Sequence, residues 1–230
     1  RGVRTIELGV QSMDQGVLEH SGRGYDVETV RRAAGLTKIH GFLLGVQLMV
    51  GLPGDSYEKA IQTAHCTISL APDFVRIYPT LVLEGSGLAR IYRQGLYQPL
   101  SLDETIVVCR DMVMLFDQAG IEVIRLGLQD TIMLNQEGAM LAGPHHPALG
   151  QLVRSAVWLK LMCERIKATE RYKDSLTIYA DTHDFSNIRG HKNANFEILR
   201  RDFGIQRVEL AEDGAIERGD FRLEFCGQAF

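Results

Sequence analysis

Five polar side chains recur at strand-like positions in the first 130 residues: Gln11, Gln47, Arg76, Arg125 and Gln129. Each stands in a short run whose alternate residues are aliphatic. Amides donate and accept hydrogen bonds and suit ligand hydroxyls, whereas guanidinium groups grip carboxylates with paired bonds. Glu7 and Tyr78 follow the same alternation. Gly9 and Gly45 leave gaps in it through which a flat ligand could reach the backbone. Brought to one surface, these groups would line a hollow for a polar small molecule. A network in which they satisfy one another is the alternative.

The elements that must position them read as strand–helix units. Residues 5–12 alternate as a strand, residues 27–40 form a helix stopped at Gly41, and residues 42–51 form a second strand. A turn at 52–56 carries Asp55 and Ser56, either of which can cap a helix running to about Leu70. Residues 74–83 read as a third strand, 84–100 as an excursion, 103–119 as an amphipathic helix ended by Gly120, and 121–128 as a fourth strand. Strands that alternate with helices make a parallel sheet with right-handed crossovers. The predicted class is α/β. Residues 1–130 form the last strands of a partial parallel (β/α) barrel, and residues 131–230 form a small α+β domain. A filled barrel would show layers of Val, Ile and Leu on its inner face; here that face is glycine and polar groups. In the second domain, 149–169 and 193–203 read as helices, and 175–180 and 206–211 as strands. A hairpin pattern ends at 221–225.

Composition bounds the partners. The chain has 230 residues and a formal net charge of −4, so bulk electrostatics do not favour nucleic acid. No apolar run approaches the roughly 20 residues a membrane span needs, and a cytoplasmic protein is expected. Cys66, Cys109, Cys163 and Cys226 are too far apart in sequence for a C-x-x-C pair and read as small buried hydrophobes. His145 and His146 read as a loop feature. Thr182, His183 and Asp184 have no nucleophile elbow to serve. Acidic and basic side chains balance over residues 151–230, but residues 186–201 gather Arg189, His191, Lys192, Arg200 and Arg201 against a single acid, Glu197. Arg189, Lys192, Arg200 and Arg201 are therefore RNA-binding candidates at a helix N-terminus, with a solvated helix face as the plain alternative.

Four segments together resemble radical S-adenosylmethionine (radical SAM) enzymes, most closely the bacterial relatives of the Elongator catalytic-subunit family. They are residues 6–12 (IELGVQS), 49–54 (M-x-G-L-P-G), 76–88 (RIYPTLVLEGSGL) and 95–101 (G-x-Y-x-P-x-S). The first two also occur in oxygen-independent coproporphyrinogen III oxidases. The resemblance implies an oxidoreductase with a TIM-barrel-like fold of radical SAM type. It also implies two cofactors, SAM and a 4Fe–4S cluster held by three cysteines in a C-x3-C-x2-C motif. That motif is absent, so the cluster cysteines are expected upstream of Arg1, no metal ligands are expected in the chain, and the chain by itself is expected to be inactive. The opening at Arg1, close ahead of a strand, is one expected in the middle of a protein. On the cofactor side the resemblance places Gln11 and Arg23, twelve residues apart, on the ribose and the methionine carboxylate, and Gln47 where relatives carry an aspartate. Glu7, Gly9 and Ser12 complete that side. Arg76, Tyr78, Arg125 and Gln129 are substrate-side candidates. The implied substrate is tRNA, at a wobble uridine; the Elongator family's acetyltransferase domain is not evident. The alternatives are a coproporphyrinogen-type oxidative decarboxylase and a non-catalytic RNA-binding or scaffold module. An unpaired sheet edge at residues 6–11 predicts a homodimer, unless further strands precede it.

Overall fold

Short polar side chains open the first five helices of this chain. A computed structural model describes residues 2–128, 138–169 and 174–226. β1 (Thr5–Gln11) runs to Asp14, whose carboxylate accepts from the Val17 amide to start α1 (Gln15–His20). Asp26 caps α2 (Val27–Ile39) in the same way on Thr29. β2 (Leu43–Val50) follows, and Ser56 caps α3 (Tyr57–Ser69). After β3 (Phe74–Pro79) and β4 (Val82–Leu83), Ser86 caps α4 (Gly87–Arg93). Ser101 and Glu104 close a full capping box at the head of α5 (Leu102–Gln118). β5 (Glu122–Leu126) and β6 (Met140–Ala142) come next.

β1, β2, β3 and β5 form one parallel sheet in that order, as the strand–helix alternation requires. One face is committed to the core. Leu44, Val46, Leu48, Val75 and Ile77 are fully buried, with Ala64 of α3 and Met112 and Phe116 of α5 in the same core. Each buried Leu or Ile contributes roughly 1.5–3 kcal/mol. Among the described residues β1 pairs with β2 alone, so it forms one edge of the sheet.

The third strand is shorter than its apolar run. Pro79 has no N–H for the ladder, and the chain turns there because the Thr80 amide and hydroxyl both donate to the Val50 carbonyl, at 3.0 and 2.8 Å. Val82–Leu83 then pairs antiparallel with β6 in a separate two-stranded sheet. The excursion at 84–100 contains α4.

The chain divides into two compact units, residues 1–150 and 151–230, whereas the sequence texture changes after Gln129. α6 (Leu149–Lys167), β7 (Ser175–Ala180), α7 (Phe185–Arg189), α8 (Ala194–Phe203), β8 (Arg207–Glu212) and β9 (Phe221–Cys226) complete the order. The sheet of the second unit runs β8-β7-β9, with β8 parallel and β9 antiparallel to β7. The expected hairpin does not form, because β8 and β9 pair on either side of β7 rather than with each other. Burial explains why: Leu176, Ile178 and Ala180 of β7 are fully enclosed, in one core with Val208 of β8 and Phe221 of β9. The helix expected at 193–203 is α8, which begins one residue later, after a 3-10 turn, His191–Asn193, that separates it from α7. No helix among the described residues is long and apolar enough to cross a membrane.

Ser101→Ala removes one half of the capping box. It is expected to cost about 1 kcal/mol, read as a lower urea midpoint at unchanged slope.

Candidate functional site

Strand parity sends the remaining side chains of the parallel sheet to the face opposite the core. Register groups them into rows. Glu7, Gly45, Phe74 and Glu122 align across the four strands, and Gly9, Gln47, Arg76 and Arg125 align in the next row. Met49 and Tyr78 start a third. Gln47, Arg76 and Arg125 thus share one row. Arg125 reaches it through a bulge between the Val75 and Arg76 pairings, which offsets β5 by one residue at Ile124. Gln129 lies outside the described residues.

The face is internally bonded. Arg76 Nε stands 3.4 Å from Glu7 Oε2, so an ion pair joins β1 to β3 across β2. Its angle makes no hydrogen bond, and Arg76 Nε has no hydrogen-bond partner. The Tyr78 side chain first, and then the Glu7 carboxylate, raise the Arg76 pKa against partial burial. Gln47 Nε2 donates to Gln11 Oε1 at 3.3 Å. Gln11 has φ +63°, unusual for a residue with a side chain, and follows a register shift after Gly9. Its amide folds back so that a Cβ on Gly9 would meet Nε2 at 2.8 Å. The Phe74 ring covers Gly45, where a Cβ would fall 2.3 Å from the ring. The gaps over Gly9 and Gly45 are therefore filled by the protein's own Gln11 amide and Phe74 ring.

Ser12 is turned away from this face. It is buried, its hydroxyl lies 3.2 Å from Thr63 of α3, and it accepts from the Asp14 amide. It anchors the entry to α1 rather than facing a ligand. Tyr25, which the sequence reading passed over, donates to the Gly9 carbonyl at 2.7 Å and braces the β1 end from α2's side. A tyrosine just ahead of a helix carries no sequence signal for that contact.

Beyond the strand ends lies a cavity of about 440 Å3, lined by His20, Arg23, Met49, Pro53, Thr80 and Arg90 among others. Arg23 is half-buried. Its Nε has no hydrogen-bond partner, and its outer nitrogen meets only the Met49 sulfur, at 3.7 Å. A guanidinium nitrogen without an acceptor, at the rim of a cavity, is suited to receive an anion such as a carboxylate. Nearby, Tyr97 donates to the Gly51 carbonyl at 2.6 Å, and burial pushes its hydroxyl up to about 12. Burial also raises the Asp55 pKa, opposed by amides of Gly51 and Ser56 that donate to it. Both hold the turn after β2. In the sequence Asp55 was legible as a turn residue, and Tyr97 as the tyrosine of the 95–101 segment.

In the second unit, Arg200 and Arg201 are each engaged by a carboxylate, Glu197 at 2.7 Å and Asp202 at 2.6 Å. Arg189 and Lys192 are exposed. Asn195, within the same stretch, is buried and its amide nitrogen bonds to Ser155, Asn187 and Ile188. His183 pairs with Asp181 at 2.7 Å, and the His146 ring accepts from the Ala148 amide. Cys109 is fully buried, which pushes its thiol up to about 12. Among the described residues no group of three or more His, Cys, Asp or Glu side chains could hold a metal ion.

Comparison with known proteins agrees with the quoted segments. Residues 72–158 match the Radical_SAM C-terminal domain. The tRNA uridine(34) acetyltransferase of Methanocaldococcus infernus is 36% identical over 110 residues, which is 46% of this chain and 21% of that protein. Elongator complex protein 3 of Bos taurus is 32% identical over 108 residues, 46% of this chain and 20% of its own length. The solved structure of the Methanocaldococcus infernus Elp3 with an N-terminal deletion superposes with a TM-score of 0.58 at 28% identity, covering 71% of this chain and 37% of that one. The chain resembles radical SAM proteins of the Elongator catalytic-subunit family, and the match spans about a fifth of the length of these curated relatives.

Gly45→Ala drives a methyl group into the Phe74 ring and is expected to destabilise by roughly 1–3 kcal/mol. Phe74→Leu in the same background should return most of that loss, measured by denaturant unfolding of both variants.

Proposed function

We propose, from its kinship with the Elongator catalytic subunit, that this chain is the SAM- and substrate-facing part of a radical SAM enzyme that modifies tRNA. SAM fits the residues present on one observation above the others: Arg23 presents a buried guanidinium nitrogen with no acceptor at a cavity beyond the strand ends. In this reading Arg23 grips the methionine carboxylate. The Gln11 and Gln47 amides exchange their mutual bond for the ribose hydroxyls. Glu7 holds Arg76 in place by their ion pair, and Tyr78 and Arg125 face the substrate from β3 and β5. Ser12 holds the β1 end against α3. Bound there beside a reduced iron–sulfur cluster, SAM would supply the radical chemistry for taking a hydrogen atom from substrate. The cluster finds no ligand set among the described residues, and no step is assigned through it.

The partial barrel is part of the same proposal. The four-stranded parallel sheet supports it, and the β1 edge is where further barrel strands or a second copy would pair. The tRNA substrate is supported by the names of the relatives, two of which are tRNA uridine(34) acetyltransferases of Methanocaldococcus species.

The natural protein that carries this chain, reconstituted with iron and sulfide without oxygen, is expected to cleave SAM. Arg23→Ala should raise the SAM concentration for half-saturation by ~10- to 100-fold, the worth of a charged hydrogen bond. Arg125→Ala should leave that value within about twofold, since it lies on the substrate side. A reconstituted protein that does not cleave SAM ends this reading, and an unchanged half-saturation in Arg23→Ala removes Arg23 from it.

A further inference from the structure

Between the parallel strands β7 and β8 the chain makes two helices, α7 and α8, joined by the four residues Gly190, His191, Lys192 and Asn193. The joint is held from beneath. Asn195 is 5% exposed, and its amide nitrogen lies within 3.0–3.2 Å of the Ser155, Asn187 and Ile188 carbonyls. Gly190 has φ +75°, and a Cβ there would meet the Asn195 side chain at 2.9 Å and the Ser155 hydroxyl at 3.0 Å. Only glycine lets the loop sit this close to its clip. The next three side chains all face solvent.

The charge at this joint differs from that of most arginines in the unit. Arg165, Arg200, Arg201, Arg207 and Arg222 each pair with a carboxylate. Among the described residues, no carboxylate pairs with Arg189, His191 or Lys192, and no acidic residue occurs at 185–196. A unit whose charges balance as a whole thus gathers basic groups without carboxylate partners on one loop, which suits a chain of phosphates.

Two helices joined by a four-residue loop that opens on glycine and lies over a sheet form the arrangement with which KH modules clamp the backbone of four nucleotides. Asn193 stands where a G-x-x-G loop has its second glycine, and its φ of +63° keeps the left-handed backbone that glycine would supply. We propose that the second unit binds single-stranded RNA, with the phosphate backbone laid along the 190–193 loop and Arg189 and Lys192 beside it. The RNA role read for Arg200 and Arg201 passes to this loop. Single strands are the fitting partner because a short loop follows one backbone, whereas duplex recognition must span successive grooves. This deepens the tRNA reading, and it rests on that reading only for which RNA is bound, since the loop needs neither SAM nor a cluster.

The test is fluorescence anisotropy of the 230-residue chain with a labelled single-stranded RNA octamer, without SAM. Lys192→Gly relieves a backbone of φ +51°, so the fold is kept or strengthened, while removing one cation lowers the salt slope by ~0.7 and the affinity several-fold. The double replacement His191→Asp with Lys192→Asp is expected to weaken binding by ~10-fold or more. Arg200→Ala with Arg201→Ala should leave binding within about twofold. The proposal is overturned if wild-type chain does not bind the octamer, if Lys192→Gly binds as tightly as wild type, or if duplex RNA of equal length binds as well as the single strand. Loss of SAM cleavage with RNA binding intact would count against the radical SAM reading alone.

Discussion

Burial of one face of the parallel sheet is the constraint on which the first unit depends. Leu44, Val46 and Leu48 of β2 and Val75 and Ile77 of β3 are sealed in the core. Because side chains alternate along a strand, that burial commits Gln47, Met49, Arg76 and Tyr78 to the other face. A one-residue slip of β2 would expose its aliphatic set and bury an amide and a glycine gap. The polar row is held in register by the energy of the apolar one, not by its own bonds.

Those bonds nonetheless shape what the polar face can do. Glu7 and Arg76 meet across β2, Gln11 and Gln47 satisfy each other, and Phe74 roofs Gly45. The surface is collapsed on itself, and any ligand there must exchange one polar partner for another. Exposed or half-exposed ion pairs of this kind contribute roughly 0–1 kcal/mol, so such an exchange costs little. Arg23 stands apart because its Nε, which like that of Arg76 has no acceptor, belongs to no ion pair with a carboxylate among the described residues and borders a cavity. Desolvation already borne by an unpartnered guanidinium nitrogen favours whatever anion can reach it.

The second unit solves a different problem with the same economy. A three-stranded sheet with β7 at its centre buries one apolar face beneath α6, α7 and α8 residues, Ile166, Ile188 and Leu199 among them. Asn195 is one of the buried polar side chains of the unit, and its amide nitrogen donates to carbonyls of the preceding helices. Fixing the base of the loop there leaves its tip with strained backbone and exposed basic side chains. Strain of this kind persists only where the surroundings over-determine it.

The parallel α/β order, the helix start at Asp55–Ser56 and the strand SLTIYA were readable from the chain, because each depends on local alternation or on a cap within three residues; the short helix α1 after Asp14 was not. The alignment of Gln47 with Arg76 was likewise implicit in the period of two. Packing across the chain decided the rest. Only the tertiary structure could show that Gln11 turns back through a left-handed backbone, that Ser12 faces Thr63, that a bulge at Ile124 delivers Arg125, or that β9 crosses to the far side of β7 instead of closing a hairpin. Each of these is set by a contact between residues distant in sequence, and alternation along one strand carries no information about which neighbour that strand will find.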